Sequence, residues 1–227
     1  MIDIHTHILY DTDDGVKTIE ESISILDNFS KIGITDVYLT PHYIEYSSYN
    51  NNVKTNMTKF RKLKSEIKKN NININIHLGN EIYINEDILE LLNNKEISPL
   101  GDSNYLLIEL PMNGEFNGFM DIFLDLIENG YKVILAHPER YIYFQNHFDE
   151  LVSIHNSGIL FQVNIASILG RYGKASKKTI KKILKNKLVD FIGTDTHQDK
   201  SDYSYIEKSI NKFKKYLTDE EINKICN

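Results

Sequence analysis

The sequence predicts a single-domain α/β barrel of about seven parallel strands. Strand-like and helix-like patterns alternate from end to end. No Pro-, Gly- or Ser-rich linker divides the 227 residues. Candidate ligand residues follow the first, second, third, fourth, fifth and seventh strands. An open doubly wound sheet places a ligand at one switch point, whereas a closed ring gathers the ends of its strands at one face.

The first strand, residues 2–7, ends in His5 and His7, and residues two apart in a strand share a face. Thr18 and Glu21 form a capping box, opening a helix that should bury Ile19, Ile23, Leu26 and Phe29 and stop at Gly33. Residues 37–40 make the second strand, broken by Pro41. Val53, Met57, Phe60, Leu63 and Ile67 then form an amphipathic stripe. The third strand, residues 72–78, lies in an Asn-, Lys- and Ile-rich stretch. The bias is compositional, since Ile72, Ile74, Ile76 and Leu78 keep a period of two. A short helix over 86–93 leads to the fourth strand, 105–110, where Glu109 faces opposite to Leu106, Ile108 and Leu110. Helix 118–128, strand 132–136, helix 148–156, strand 159–163, helix 176–185 and strand 189–193 follow. Helices near 205–216 and 219–225 end the chain.

His5, His7, Asp14, His42, Glu81, Glu109, His137, Asp195 and His197 stand nearly all at strand ends. A lone His-x-His is weak, but its recurrence in kind makes a strong pattern. Asp195 and His197 repeat the two-apart spacing. Buried ionisable groups need partners or metal, and four carboxylates at one mouth need cations between them. Imidazole and carboxylate donors without thiolates favour manganese, iron or zinc in a reactive site over a structural zinc. Nine ligands exceed one ion, so two or three divalent ions fit better. His77, His147 and His155 fit no ligand spacing and read as surface or helix-face residues.

Composition narrows the function. With 41% apolar residues the chain can bury one full core, and its formal charge of −6 argues against a nucleic-acid backbone as main partner. The lone Cys226 leaves no intrachain disulfide, which fits a reducing cytoplasm. No apolar run reaches the ~20 residues that span a bilayer, and no signal peptide precedes His5. The expectation is a cytoplasmic protein without membrane insertion.

The motifs His-x-His, Asp-Asp-Gly-Val-Lys-Thr-Ile-Glu-Glu-Ser (13–22), Thr-Pro-His (40–42), Gly-Asn-Glu-Ile (79–82), Ala-His-Pro-Glu-Arg-Tyr (136–141), Gln-Val-Asn-Ile-Ala-Ser-Ile-Leu-Gly-Arg-Tyr-Gly (162–173) and Thr-Asp-Thr-His (194–197) resemble the PHP superfamily. More narrowly, they resemble its bacterial manganese-dependent protein-tyrosine phosphatases of capsule and exopolysaccharide operons. The resemblance implies a distorted (β/α)7 TIM-like barrel with a trinuclear site, most often of Mn²⁺. His5, His7, Glu81 and Asp195 would serve one metal. Glu81 would bridge to a second metal held by Glu109 and His137, and Asp14, His42 and His197 would hold the third. Arg140, in His-Pro-Glu-Arg, would contact substrate phosphate. Where the family often has a second Arg after Asp-x-His, this chain offers Lys200, a point charge without the bidentate fork. The implied substrate is a phosphotyrosine protein, most plausibly a polysaccharide-synthesis tyrosine kinase.

The residues point to similar chemistry. Clustered divalent ions bind a phosphate ester and acidify water. A cysteine phosphatase needs a thiolate within an anion-binding loop, and none can follow Cys226. Three other readings compete: a small-molecule phosphatase of histidinol-phosphate type, a non-catalytic metal-binding barrel, and a metal-dependent nuclease. The acidic charge weighs against the nuclease.

Overall fold

Parallel strands run around a ring in chain order, in a computed structural model that describes residues 1–114, 118–199 and 202–226. β1 (Ile2–Thr6) pairs with β2 (Asp36–Leu39), which pairs with β4 (Asn75–Leu78). Pro41 lacks the N–H that would continue the ladder. Beyond it the chain resumes as β3 (His42–Tyr43), beside β5 (Glu81–Tyr83). Gly79 and Asn80 separate β4 from β5, although the Gly79 N–H still donates to the Leu39 carbonyl at 3.0 Å. The expected second and third strands are therefore each one stave in two pieces. His42 and Glu81 lie within the upper pieces, directly opposite each other, rather than after a strand end.

β6 (Tyr105–Glu109), β7 (Lys132–Ala136), β8 (Leu160–Asn164) and β9 (Phe191–Gly193) complete the series, all parallel. The ring closes where the Asp195 N–H donates to the His5 carbonyl and the His7 N–H to that of Thr196, both at 2.9 Å. Thr6 and Thr196 form a parallel bridge at the same seam. Below them, the buried Asp3 carboxylate accepts the Thr194 N–H at 3.0 Å and its hydroxyl at 2.7 Å. The seven expected strands correspond to seven staves, two of them broken.

The helices cover the outside: α1 (Ile19–Lys31), α2 (Val53–Lys69), α3 (Ile88–Asn93), α4 (Phe119–Glu128), α5 (Ile142–Asn146), α6 (Phe148–Asn156), α7 (Gly173–Lys185), α8 (Ser204–Phe213) and α9 (Asp219–Cys226). The expected capping box is present, with Thr18 accepting the Glu21 N–H at 3.2 Å and Glu21 accepting the Thr18 N–H at 3.0 Å. α1 is turned slightly from the expected stripe. Ser22, Ile25, Leu26 and Phe29 are buried, and Ile19 and Ile23 sit at the edge of the core. That 22-25-26-29 set keeps helical spacing and faces the barrel wall more squarely.

Two apolar layers result. Outward-facing Leu106, Ile108, Val133 and Leu135 pack under the helices, while Ile4, Leu100, Leu107, Ile134 and Ala136 fill the foot of the barrel. Each fully buried Leu or Ile contributes about 1.5–3 kcal/mol. Ile225, in α9, joins Ile2, Ile4 and Tyr38 around a cavity at that foot. The apolar plug leaves the opposite end of the ring for polar groups.

Local backbone irregularities aim the polar groups. β1 carries an extra residue between Asp3 and Thr6 relative to β2. This bulge lets Ile4 join the inner plug and the next residue, His5, also face inward. His137 and Asp195 have φ of 33° and 52°. A residue other than glycine in the left-handed region costs about 1–3 kcal/mol and persists where the surroundings hold it. At His137 the turn places both Ala136 and His137 inside the ring.

Candidate metal centre

The buried Glu81 carboxylate lies at the centre of the mouth. Its Oε2 is 3.2 Å from His5 Nε2, 3.1 Å from His7 Nε2 and 3.1 Å from His42 Nδ1, and its Oε1 is 3.0 Å from His137 Nε2. Asp195 Oδ1 stands 3.5 Å from His7 Nε2, 3.7 Å from His5 Nε2 and 3.3 Å from His197 Nδ1. Glu109 reaches His42 Nδ1 at 3.7 Å and His137 Nε2 at 3.6 Å. Asp14, half-exposed at the rim, is 3.4 Å from His197 Nε2 and 3.7 Å from His42 Nε2. All nine expected ligands thus fall in one cluster.

Three overlapping groups have donor atoms within 4.8 Å of one another: His5, His7 and Glu81; His42, Glu81 and Glu109; and His7, Asp14, His42 and His197. Two donors each about 2.1 Å from one ion lie about 3.0–3.4 Å apart, close to the spacings around Glu81. His42 Nδ1 and His137 Nδ1 are buried with no hydrogen-bond partner among the described residues. His42 Nδ1, 3.1 Å from Glu81 Oε2 in a donor set of imidazoles and carboxylates, suits a divalent cation.

The electrostatics agree. Burial and the adjacent Glu81 charge push Glu109 up to about 9. Glu81 is itself held well below the usual carboxylate range, because His5, His42 and His137 outweigh its burial. Burial disfavours the charged form of His7, yet Asp13 and Glu81 raise it well above an ordinary imidazole. Burial lowers His137 to about 4. Without a cation, two adjacent glutamates cannot both ionise cheaply; a divalent ion removes that conflict.

A second ring orients the first. His7 Nδ1–H donates to Asp13 Oδ2 at 2.6 Å, which turns its Nε2 lone pair toward the cluster. Asp13 also accepts the His42 N–H and the Gly15 N–H, each at 2.9 Å. A Cβ on Gly15 would come within 2.1 Å of the His7 carbonyl oxygen, so Asp-Asp-Gly needs its glycine to press against the first strand. His5 Nδ1–H donates to Gln162 Oε1 at 2.8 Å, Gln162 Nε2 to Asn164 Oδ1 at 3.0 Å, and Asn164 Nδ2 to Asp195 Oδ2 at 2.7 Å. Buried Glu139 accepts the Asn164 N–H at 2.9 Å and the Ser167 hydroxyl at 2.6 Å.

Arg140 closes one side of the mouth. Its Nη1 donates to Asp195 Oδ2 at 2.8 Å, and its guanidinium lies 4.5 Å from the centre of the Tyr172 ring. The Tyr172 hydroxyl donates to the same Asp195 oxygen at 3.4 Å.

Comparison with known proteins decides the family. The whole chain, residues 1–227, matches the capsular polysaccharide synthesis CpsB/CapC family. It belongs to that family. CapC of Staphylococcus aureus is 36% identical over 99% of this chain and 94% of the relative. Tyrosine-protein phosphatase CpsB of Streptococcus pneumoniae is 30% identical over 92% of this chain and 88% of the relative. A structure from a study of YwqE from Bacillus subtilis and CpsB from S. pneumoniae, described as metal-dependent tyrosine phosphatases, superposes with a TM-score of 0.91. It is 26% identical, covering 99% of this chain and 91% of the other. A histidinol phosphate phosphatase from Lactococcus lactis superposes with a TM-score of 0.61 at 15% identity, over 95% of this chain and 93% of that one, a likeness of fold.

In this CpsB/CapC chain one expectation about the site needs correction. Asp195 and His197 do meet, but not by strand alternation. β9 ends at Gly193, and the left-handed turn at Asp195 brings them together. His42 stands between two of the donor groups, its Nδ1 3.1 Å from Glu81 Oε2 and its Nε2 3.7 Å from Asp14 Oδ1. Lys200 lies outside the described residues. His77 and His155 pair with Asp36 and Asp190, at 3.1 and 3.0 Å, and His147 stacks on Tyr143, all away from the cluster. Cys226 is buried in α9, and burial pushes its thiol up to about 11.

Asp13, Gln162, Asn164 and Tyr172 escaped the sequence reading as parts of the site. A signal existed for two of them: Gln162 and Asn164 stand two apart in an otherwise apolar strand, on the face that looks into the barrel. Asp13→Ala is expected to weaken metal binding about 10–100-fold, since the partner that fixes the His7 tautomer is lost. Metal titration by calorimetry, with circular dichroism as a check on folding, measures this. Unchanged affinity would remove Asp13 from the site.

Proposed function

We propose that this CpsB/CapC-family chain is a metal-dependent protein-tyrosine phosphatase. The observation that carries the reading is the convergence of four imidazoles on the Glu81 carboxylate, with Arg140 at the edge of the same mouth. His5, His7, Glu81 and Asp195 would hold one ion. Glu81, Glu109 and His137 would hold a second, and Asp14, His42 and His197 a third, with manganese as first choice and iron or zinc as alternatives. Bound there, divalent ions supply an acidified water nucleophile and neutralise charge on the phosphoryl group.

The chain's own residues do the rest. Arg140 presents a planar fork that matches phosphoryl oxygens. Asp13 and Gln162 hold the imidazoles of His7 and His5 in one tautomer. The Tyr141 hydroxyl accepts the Leu110 N–H at 3.0 Å, fixing the backbone just after Glu109. A tyrosyl leaving group, with a phenol pKa of about 10, makes light demands on a general acid. The buried thiol of Cys226 supplies no nucleophile.

The natural substrate in this reading is a phosphorylated bacterial tyrosine kinase of polysaccharide synthesis. No helix among the described residues is long and apolar enough to cross a membrane. With a single cysteine, the reading places the enzyme in the cytoplasm.

Turnover of a phosphotyrosine peptide and of histidinol phosphate, side by side with and without EDTA, tests the proposal. The expected result is metal-dependent hydrolysis that favours the peptide and is indifferent to iodoacetamide or Cys226→Ser. Preference for histidinol phosphate, or activity that survives EDTA and dies with the thiol, would overturn it.

A further inference from the structure

α7 concentrates positive charge in a chain that is acidic overall. Residues 173–187 hold seven lysines and no aspartate or glutamate, against a formal charge of −6 for the whole chain. Lys174, Lys178, Lys181 and Lys185 recur at i, i+4, i+7 and i+11, which is one stripe along a helix. The opposite face, with Ser176, Thr179, Ile180, Ile183 and Leu184, is buried, so the stripe looks outward. Lys174, Lys178 and Lys185 are exposed and Lys181 is half-buried. Among the described residues, the ion pairs of lysine and arginine engage none of the four. Like charges one turn apart destabilise a helix, and this helix has no acidic residue to offset them.

The stripe starts at the mouth. Tyr172, stacked on Arg140, directly precedes α7. Arg140, Tyr172, Gly173 and Lys174 line one open groove. The cation assigned to the phosphoryl group and the first lysine of the stripe therefore face the same groove.

Building on the phosphatase reading, we infer that the lysine stripe of α7 is a docking track for an acidic segment flanking the substrate phosphotyrosine. The eleven residue steps from Lys174 to Lys185 rise about 16 Å, which an extended peptide covers in about five residues. Acidic side chains or further phosphotyrosines within that reach would lie along the stripe. Contacts of this exposed kind act on encounter and KM more than on kcat, and salt screens them.

The test compares kcat/KM on three substrates. These are a phosphotyrosine peptide with five adjoining glutamates, made with the acidic run on either side; the same peptide with glutamines; and p-nitrophenyl phosphate. Wild type is set against the triple variant Lys178→Glu, Lys181→Glu, Lys185→Glu, with the corresponding triple Lys→Gln variant used if the first does not fold. Wild type should prefer an acidic peptide about tenfold, through KM, and lose most of that preference between about 50 and 300 mM salt. The variant should lose the preference while its turnover of p-nitrophenyl phosphate and the neutral peptide stays within about twofold of wild type.

Equal kcat/KM for acidic and neutral peptides in wild type would overturn the inference and leave the phosphatase reading intact. So would a preference that survives in the variant. If the variant instead kept its peptide kinetics and lost binding to phosphatidylserine-containing vesicles, the stripe would be a membrane-facing surface and the inference would fall. No turnover of p-nitrophenyl phosphate or either peptide by metal-loaded wild type would defeat the phosphatase reading, and this inference with it.

Discussion

His7→Ala is expected to strip the mouth of metal and to lower kcat by about 10³-fold or more. His7, like His42, is a shared imidazole of the cluster. Its Nε2 lies 3.1 Å from Glu81 and 3.5 Å from Asp195, it stacks on His197 with ring centres 3.9 Å apart, and it belongs to two of the three donor groups. Alanine there would remove one of the proposed ligands and leave Asp13, at 2.6 Å, without its imidazole partner. The remaining carboxylates repel one another more strongly, which further disfavours the metal-free fold. Elemental analysis of the purified variant should find fewer ions per chain, and added manganese should raise its melting temperature less than it raises wild type's. Full activity with unchanged metal stoichiometry would sink the ligand assignment.

Much of this site was legible because strand geometry is regular. His5 and His7 converge, with Nε2 atoms 3.1 Å apart, as their spacing requires. Glu109 faces the barrel interior while Leu106, Ile108 and Leu110 face the helices, as alternation requires. What alternation could not supply came from departures from it. The bulge in β1 turns two successive residues inward, and no glycine or proline marks it. The left-handed backbone at His137 and Asp195 is likewise unannounced, since both are residue types read first by their side chains. Pro41 was visible as a strand breaker, but the resumption of pairing at His42 depends on Glu81 across the ladder, a contact between distant parts of the chain. Asp13 was hidden for another reason. In Asp-Asp-Gly either carboxylate has the right chemistry, and only the packed loop sets Asp13 behind His7 and Asp14 at the rim. The turn of the α1 stripe is a small rotation, which apolar periodicity leaves loose.

Arg140→Ala carries the second large effect, expected at about 10²-fold or more in kcat/KM with metals and fold retained. Arg140 follows His137 through a single 3₁₀ turn, Pro138–Arg140, so the strand that brings an imidazole to the cluster also brings a cation to its edge. Its guanidinium is held from two sides, by Asp195 Oδ2 at 2.8 Å and by the Tyr172 ring at 4.5 Å. That leaves other N–H groups of the fork for phosphoryl oxygens, and the side chain keeps 24% of its surface exposed. Charge-assisted bonds from a fixed donor gain most as charge redistributes in the transition state. Arg140→Lys should rescue partly, because an ammonium keeps the charge but not the bidentate geometry. A role confined to pairing with Asp195 makes a different forecast. Metal content would then fall along with activity, and inhibition by inorganic phosphate would weaken only in proportion to the metal lost. Under the phosphate-clamp reading, phosphate inhibition weakens at full metal occupancy. Wild-type kinetics on a phosphotyrosine peptide at saturating manganese would transfer the role to Lys200 or Arg171.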